Sequence, residues 1–143
     1  MRPVVPVREV MKKNVVRISA DDTLWIVKEI MDLGSVRHIP VVDRGALVGV
    51  VSQRDLLRAS LSNIIGISAE EQKIFLEGVR IAEVMSAPPR TIGPDEGIQT
   101  AARLMAENKI GCLPVVDGRE IVGILTETDV LRYFALLPAS GAI

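Results

Sequence analysis

The 143-residue sequence has a single cysteine, Cys112, and a single histidine, His38. One cysteine excludes an internal disulfide, and the pair leaves too few ligands for a His/Cys metal cluster. Aromatics make up only 3% of the chain. Charge is nearly balanced, with 17 Lys and Arg against 18 Asp and Glu, so no broad basic surface for nucleic acid is implied. No apolar run approaches the roughly 18 residues of a membrane span. The opening Met1-Arg2-Pro3-Val4-Val5-Pro6 has no continuous apolar core of a signal peptide, and a cytoplasmic protein is expected. The sequence also has no Ser/His/Asp order, no cysteine with a histidine partner and no phosphate-loop lysine motif. Neither an enzyme nor a required cofactor or metal is expected.

What is present is aliphatic. Nearly half the residues, 48%, are apolar, and Val, Ile and Leu dominate, as in buried strands and packed helices. They recur in order. Met11, Pro40 and Asp55 align with Met85, Pro114 and Asp129 at one offset of 74 positions, and from Val7–Arg58 to Ile81–Arg132, 15 of 52 aligned positions are identical. The chain is an internal duplication.

Each copy contains one organising stretch: Gly49-Val50-Val51-Ser52-Gln53-Arg54-Asp55 in the first, Gly123-Ile124-Leu125-Thr126-Glu127-Thr128-Asp129 in the second. Both read as a strand ending in a hydroxyl, then a helix with a carboxylate in its first turn. Such a junction offers backbone N–H groups and the positive end of a helix dipole, which suit a phosphate. The same residues are also a capping-box signal.

Around this stretch each copy predicts a short helical lead-in (Val7–Met11, Ile81–Met85) and a short strand (Val15–Ser19, Arg90–Gly93). A helix follows over Thr23–Leu33 and Gly97–Glu107, with apolar residues Leu24, Val27 and Met31, or Ile98, Ala101 and Met105, at the spacing of a buried stripe. Two strands come next, His38–Asp43 with Ala46–Ser52 and Cys112–Asp117 with Glu120–Thr126. Turns at Arg44-Gly45 and Gly118-Arg119 join them, and a second helix ends each copy. Between the copies, Ser68-Ala69-Glu70-Glu71 signals a further helix start, with Ile74, Phe75 and Val79 as its apolar face.

This pattern resembles the CBS domain, and the tandem pair resembles a CBS-pair (Bateman) module. The resemblance rests on Val10-Met11 and Val84-Met85, on His38-Ile39-Pro40-Val41-Val42-Asp43 and Cys112-Leu113-Pro114-Val115-Val116-Asp117, and on the two organising stretches. It implies an α/β (α+β) fold of two tandem β-α-β-β-α CBS units packed as a pseudo-two-fold pair. The expected divisions are a first CBS unit over 1–58, a helical connector over 59–80, a second unit over 81–134 and a tail over 135–143.

The resemblance further implies an adenosine-containing ligand, AMP, ADP, ATP or S-adenosylmethionine, in the cleft between the units. Carried over by position, Ser52 and Thr126 would meet phosphate, and Asp55 and Asp129 would accept from ribose hydroxyls, chemistry open to a hydroxyl and an ionised carboxylate. Arg54 would neutralise phosphate where the second copy has Thr128. His38, Ile39 and Pro40, with Cys112, Leu113 and Pro114, would form the adenine slots. Arg17-Ile18 and Thr91-Ile92 would flank them, Arg17 departing from the hydroxyl that the family places there. Arg17, Arg37 and Arg54 make the first copy the more basic, so its site is expected to favour more phosphates.

The expected function is regulatory: a sensing module whose ligand alters its packing and signals to an undefined downstream protein. The alternative is a structural or assembly module with a vestigial cleft. A last expectation comes from the first helix. Trp25, Ile26 and Leu33 replace Gln99, Thr100 and Glu107 of its twin, and Ile30 extends the row. A helix apolar around most of its circumference needs a second cover. The helix at Ser68 is one candidate. A homodimer through Trp25, Ile26 and Ile30 is the other, favoured by the resemblance.

Overall fold

The computed structural model describes residues 4–61 and 66–139. It is a mixed α/β fold. Strand β1 (Ile18–Ser19) leads to helix α1 (Leu24–Leu33), the hairpin β2 (His38–Asp43) and β3 (Ala46–Ser52), and helix α2 (Gln53–Leu61). Helix α3 (Ala69–Glu77) stands between the copies. Helix α4 (Ile98–Asn108), hairpin β4 (Cys112–Asp117) and β5 (Glu120–Thr126), and helix α5 (Glu127–Ala135) repeat the order. Single 3₁₀ turns at Val7–Glu9 and Ile81–Glu83 form the lead-ins.

The hairpins fall where alternation and turn residues place them. At the first turn Arg44 and Gly45 have φ of 52° and 80°; at the second Gly118 has φ of 64°. Both hairpins carry the same irregularity. Val41 pairs with Gly49 and Val42 with Leu47, as Val115 pairs with Gly123 and Val116 with Ile121. One residue of β3 or β5 is therefore skipped beside each motif glycine, a bulge at the place where a strand glycine often signals one.

The opening strands are shorter than expected. β1 is two residues, parallel to β2 with Ile18 beside Val41. Its twin is a single bridge from Ile92 to Val115. The first is cut off because the chain turns at once: Ser19 N–H donates to Asp22 Oδ2 at 3.0 Å and Asp22 N–H to Ser19 O at 3.0 Å.

Two compact units result, and they cut across the repeats. One comprises residues 16–89; the other runs from Arg90 onward and includes the lead-in up to Val15. Each lead-in thus packs on the opposite repeat. In the second unit Ile98 N–H donates to Val5 O (2.9 Å), Val7 N–H to Glu96 O (2.8 Å) and Arg8 N–H to Pro94 O (3.0 Å), while Lys12 and Ile124 exchange both main-chain bonds at 2.9 Å. In the first unit the same roles fall to Leu24 with Val79, Ile81 with Asp22, Ala82 with Ala20, and Ser86 with Val50.

Each unit has its own core. The first gathers Ile18, Leu24, Val27, Met31, Ile39, Val41, Val51, Leu56, Leu76 and Ile81. The second gathers Val7, Ile92, Ile98, Ala101, Met105, Leu113, Val115 and Leu125. Val7 and Ile81, both fully buried, anchor the exchanged lead-ins.

Helix α3 starts where the capping box predicts, with Ser68 Oγ accepting from Glu71 N–H at 3.1 Å. Its buried face differs from the expected one: Leu76 is fully buried and Val79 packs beside it, while Ile74 is 70% exposed. The bond from Leu24 N–H to Val79 O ties the segment just after α3 to the start of α1, and that tether turns Leu76 inward. Lys73 of α3 lies 5.2 Å above the Trp25 ring, which also packs on the first core. Helix α3 therefore covers part of the second face of α1.

Candidate functional site

Both organising stretches form a strand that runs directly into a helix, and both hold a reciprocal cap. Ser52 N–H donates to Asp55 Oδ2 at 2.8 Å and Asp55 N–H to Ser52 Oγ at 3.1 Å. In the second unit Thr126 N–H and Thr126 Oγ1 both donate to Asp129 Oδ2 at 2.9 Å, and Asp129 N–H donates to Thr126 Oγ1 at 3.3 Å. The first helical N–H is also taken, Gln53 by Arg37 O at 2.8 Å and Glu127 by Gly111 O at 3.0 Å. The expected row of free amides is therefore mostly spent on the junction itself, as a capping box dictates. What each junction still offers a ligand is the second carboxylate oxygen and the helix dipole; the Ser52 hydroxyl, which only accepts in its cap, also keeps its proton, whereas Thr126 gives its own to Asp129 Oδ2.

The hairpins bring the slot residues to these junctions. His38 lies opposite Ser52, and Cys112 opposite Thr126, so each pair shares a sheet face. His38 is half-buried and Cys112 is buried. Pro40 and Pro114 are buried on the same face, opposite Val50 and Ile124. Ile18, Ile39, Ile92 and Leu113 point the other way, into the unit cores. Their side chains are committed to packing, and the main chain of Ile92 is spent as well, its N–H donating to Pro114 O at 3.1 Å and its carbonyl accepting from Val116 N–H at 2.9 Å. Arg17, Thr91, Arg54 and Thr128 are exposed, the last two on the first turns of α2 and α5.

The carboxylates differ. Asp55 is half-buried, whereas Asp129 is 5% exposed and is the buried charged residue among those described. Around Asp129 Oδ1 stand Arg132 Nη1 at 3.8 Å and Lys12 Nζ at 3.9 Å. Both are too far for hydrogen bonds, so charge alone holds them. Burial first, and the Asp129 charge second, push the Cys112 thiol up to about 12. At neutral pH Cys112 is an inert apolar wall.

Sequence reasoning passed over Lys12 and the role of the motif glycine. A side chain on Gly49 would stand 2.6 Å from Met85 Sδ and 2.9 Å from Ser86 O; one on Gly123 would meet Met11 Sδ and, at 2.9 Å, Lys12 O. The glycines admit the opposite repeat's lead-in. A glycine inside each strand was the available signal, since it marks close backbone approach.

The CBS-domain family model matches residues 7–62 and 81–136. The chain belongs to the CBS-domain family. A CBS domain-containing protein of Dictyostelium discoideum is 31% identical over 129 residues, 89% of each chain. A longer Methanocaldococcus jannaschii protein is 30% identical, with this CBS pair spanning 34% of its length. Among solved structures, the CBS domain pair of protein MJ0100 in complex with 5′-methylthioadenosine and S-adenosyl-L-methionine superposes with a TM-score of 0.78 at 27% identity, covering 93% of this chain and 98% of that one. CBSX2 in complex with AMP superposes with a TM-score of 0.73 at 29% identity, covering 91% and 96%. Among the described residues, no helix is long and apolar enough to cross a membrane and no His, Cys, Asp and Glu cluster could hold a metal ion.

Proposed function

We propose that this CBS pair is a regulatory module that binds an adenosine-containing ligand at its strand-to-helix junctions and signals by a change in packing rather than by catalysis. The observation that carries the reading is Asp129: a buried carboxylate with one oxygen spent on its own helix cap and the other, Oδ1, left to loose cations. Burying a charge is costly unless it is paired or used, and Oδ1 is suited to accept from a pair of sugar hydroxyls. Support comes from the likeness to structures in complex with S-adenosyl-L-methionine and with AMP. In this reading Ser52 and Thr126 face phosphate, Asp55 and Asp129 hold ribose, and the backbone before Pro40 and Pro114 reads the base.

The test is calorimetry with AMP, ADP, ATP and S-adenosylmethionine on the wild-type chain and on Asp129→Asn, which keeps an oxygen for the cap. We expect binding to the wild type, weakened in the variant by about 1.5–3 kcal/mol, the worth of hydrogen bonds to a charged group. Absence of binding by all four compounds overturns the sensing reading. It would favour the assembly-module reading, to which the self-contained caps at both junctions give independent support.

A further inference from the structure

We propose that Lys12, carried into the second unit by the exchanged lead-in, selects phosphorylated over unphosphorylated adenosine ligands at the Thr126–Asp129 junction. The inference rests on the proposed nucleotide reading and deepens it. Counted in chain order, Lys12 belongs to the first repeat, and the second junction is the poorer in cations. It has Arg132 against Glu127 and Asp129, whereas the first junction has Arg54 and Arg58 against Asp55. The fold alters that count. Lys12 exchanges both main-chain bonds with Ile124, two residues before Thr126, and its Nζ reaches to 3.9 Å from Asp129 Oδ1. The equivalent position in the first unit, paired with Val50 in the same way, is the uncharged Ser86.

Three features make Lys12 a selector and not a routine surface charge. Its backbone is fixed, because the lead-in is seated by fully buried Val7 and by the space that Gly123 leaves for it. Its ammonium is not used up, because Asp129 is bonded through Oδ2 to the cap and stands beyond hydrogen-bond range of Lys12 at Oδ1. It is also 57% exposed, so an incoming anion can reach it. An ammonium held loosely beside a carboxylate that binds sugar would also attract the phosphates that the sugar carries, and that attraction grows with their number.

The experiment compares adenosine, AMP and ATP by calorimetry at low ionic strength, where such attraction is least screened. The Asp55→Asn background weakens the first junction so that the second is read. Lys12→Gln in that background is expected to lower ATP affinity about 5- to 10-fold, the scale of an exposed charge-assisted contact, and to leave adenosine within about twofold. Circular dichroism confirms folding, which the main-chain pairing of residue 12 should preserve. The converse variant, Ser86→Lys in an Asp129→Asn background, should raise the ATP-to-adenosine preference of the first junction by a similar factor, and it decides the matter if Lys12→Gln does not fold. An unchanged ATP-to-adenosine ratio in a folded Lys12→Gln protein that still binds overturns the role of Lys12 and leaves the nucleotide reading standing. A wild-type chain that binds none of the three compounds overturns both.

Discussion

Replacing Gly123 by alanine should unseat the lead-in of the first repeat from the second unit. The new Cβ would meet the Met11 thioether and would stand 2.9 Å from Lys12 O. The thioether can swing aside, since methionine is flexible. The carbonyl cannot, because Lys12 O accepts from Ile124 N–H at 2.9 Å and Lys12 N–H donates back at the same distance. Overpacking of this kind costs about 1–3 kcal/mol. If the lead-in lifts off instead, the loss is two hydrogen bonds at about 1 kcal/mol each and the burial of Val7, about 2 kcal/mol. The two routes bracket a destabilisation of about 1–4 kcal/mol, which for a chain of this size lowers Tm by roughly 3–12 °C. Thermal unfolding followed by circular dichroism measures it. Gly49→Ala should behave alike, its Cβ meeting Met85 Sδ at 2.6 Å and Ser86 O at 2.9 Å. Gly34→Ala is the control: its nearest contact is 3.9 Å away, with ordinary φ of −142°. A Gly123→Ala protein melting within a degree of wild type, or a Gly34→Ala protein falling as far, would refute the exchanged packing.

Cys112 should resist iodoacetamide at pH 8 until the chain unfolds, and fast labelling of the folded protein would contradict its burial. Because its folded pKa, about 12, lies above that of an unfolded thiol, its contribution to stability is complete below about pH 8.5 and is lost as pH rises toward 12; Cys112→Ala should flatten that alkaline decline, and an identical slope in the variant counts against it. Lys109 ends α4 with φ of 54°, the left-handed region, so Lys109→Gly should stabilise by about 0.5–1 kcal/mol, read as a raised denaturant midpoint; a lowered midpoint would show that the lysine side chain outweighs the backbone strain. On α1, Ile26 is 39% and Leu33 89% exposed after α3 has covered Trp25; if this remaining face pairs two chains, Ile26→Lys with Leu33→Lys should turn a dimer into a folded monomer by light scattering, and a wild-type chain already monomeric at tens of micromolar ends that proposal.

Much of the fold was legible because local signals agreed with one another. The four hairpin strands begin and end where alternation meets turn residues, and α1 and α4 bury Leu24, Val27, Met31 and Ile98, Ala101, Met105 at helical spacing. The orientation of α3 was not legible. Ile74, Phe75, Leu76 and Val79 are all apolar, and nine residues of helix fix no face by period alone. A tertiary tether, Leu24 N–H to Val79 O, chose Leu76. The brevity of β1 and its twin had the same kind of cause, a turn closed by Asp22 in the first copy.

The site shows a sharper division. The hydroxyl and carboxylate of each junction are written in the sequence, and so is the alternative use of both as a cap; the structure realises the cap with Oδ2 and leaves Oδ1. The company that Oδ1 keeps is another matter. A 74-residue offset assigns each lead-in to the motif that follows it in the chain, yet the lead-ins are exchanged, and Lys12 stands at Asp129 while Ser86 occupies the matching place in the first unit. Nothing local in Val10-Met11-Lys12 reports this, because the choice lies between two nearly identical glycine-gated strands, Gly49–Ser52 and Gly123–Thr126. Duplication gave the chain two equal backbones, and exchange makes each site depend on residues from both copies. A charge present in only one lead-in therefore makes the two junctions chemically unequal, however closely the motifs themselves agree.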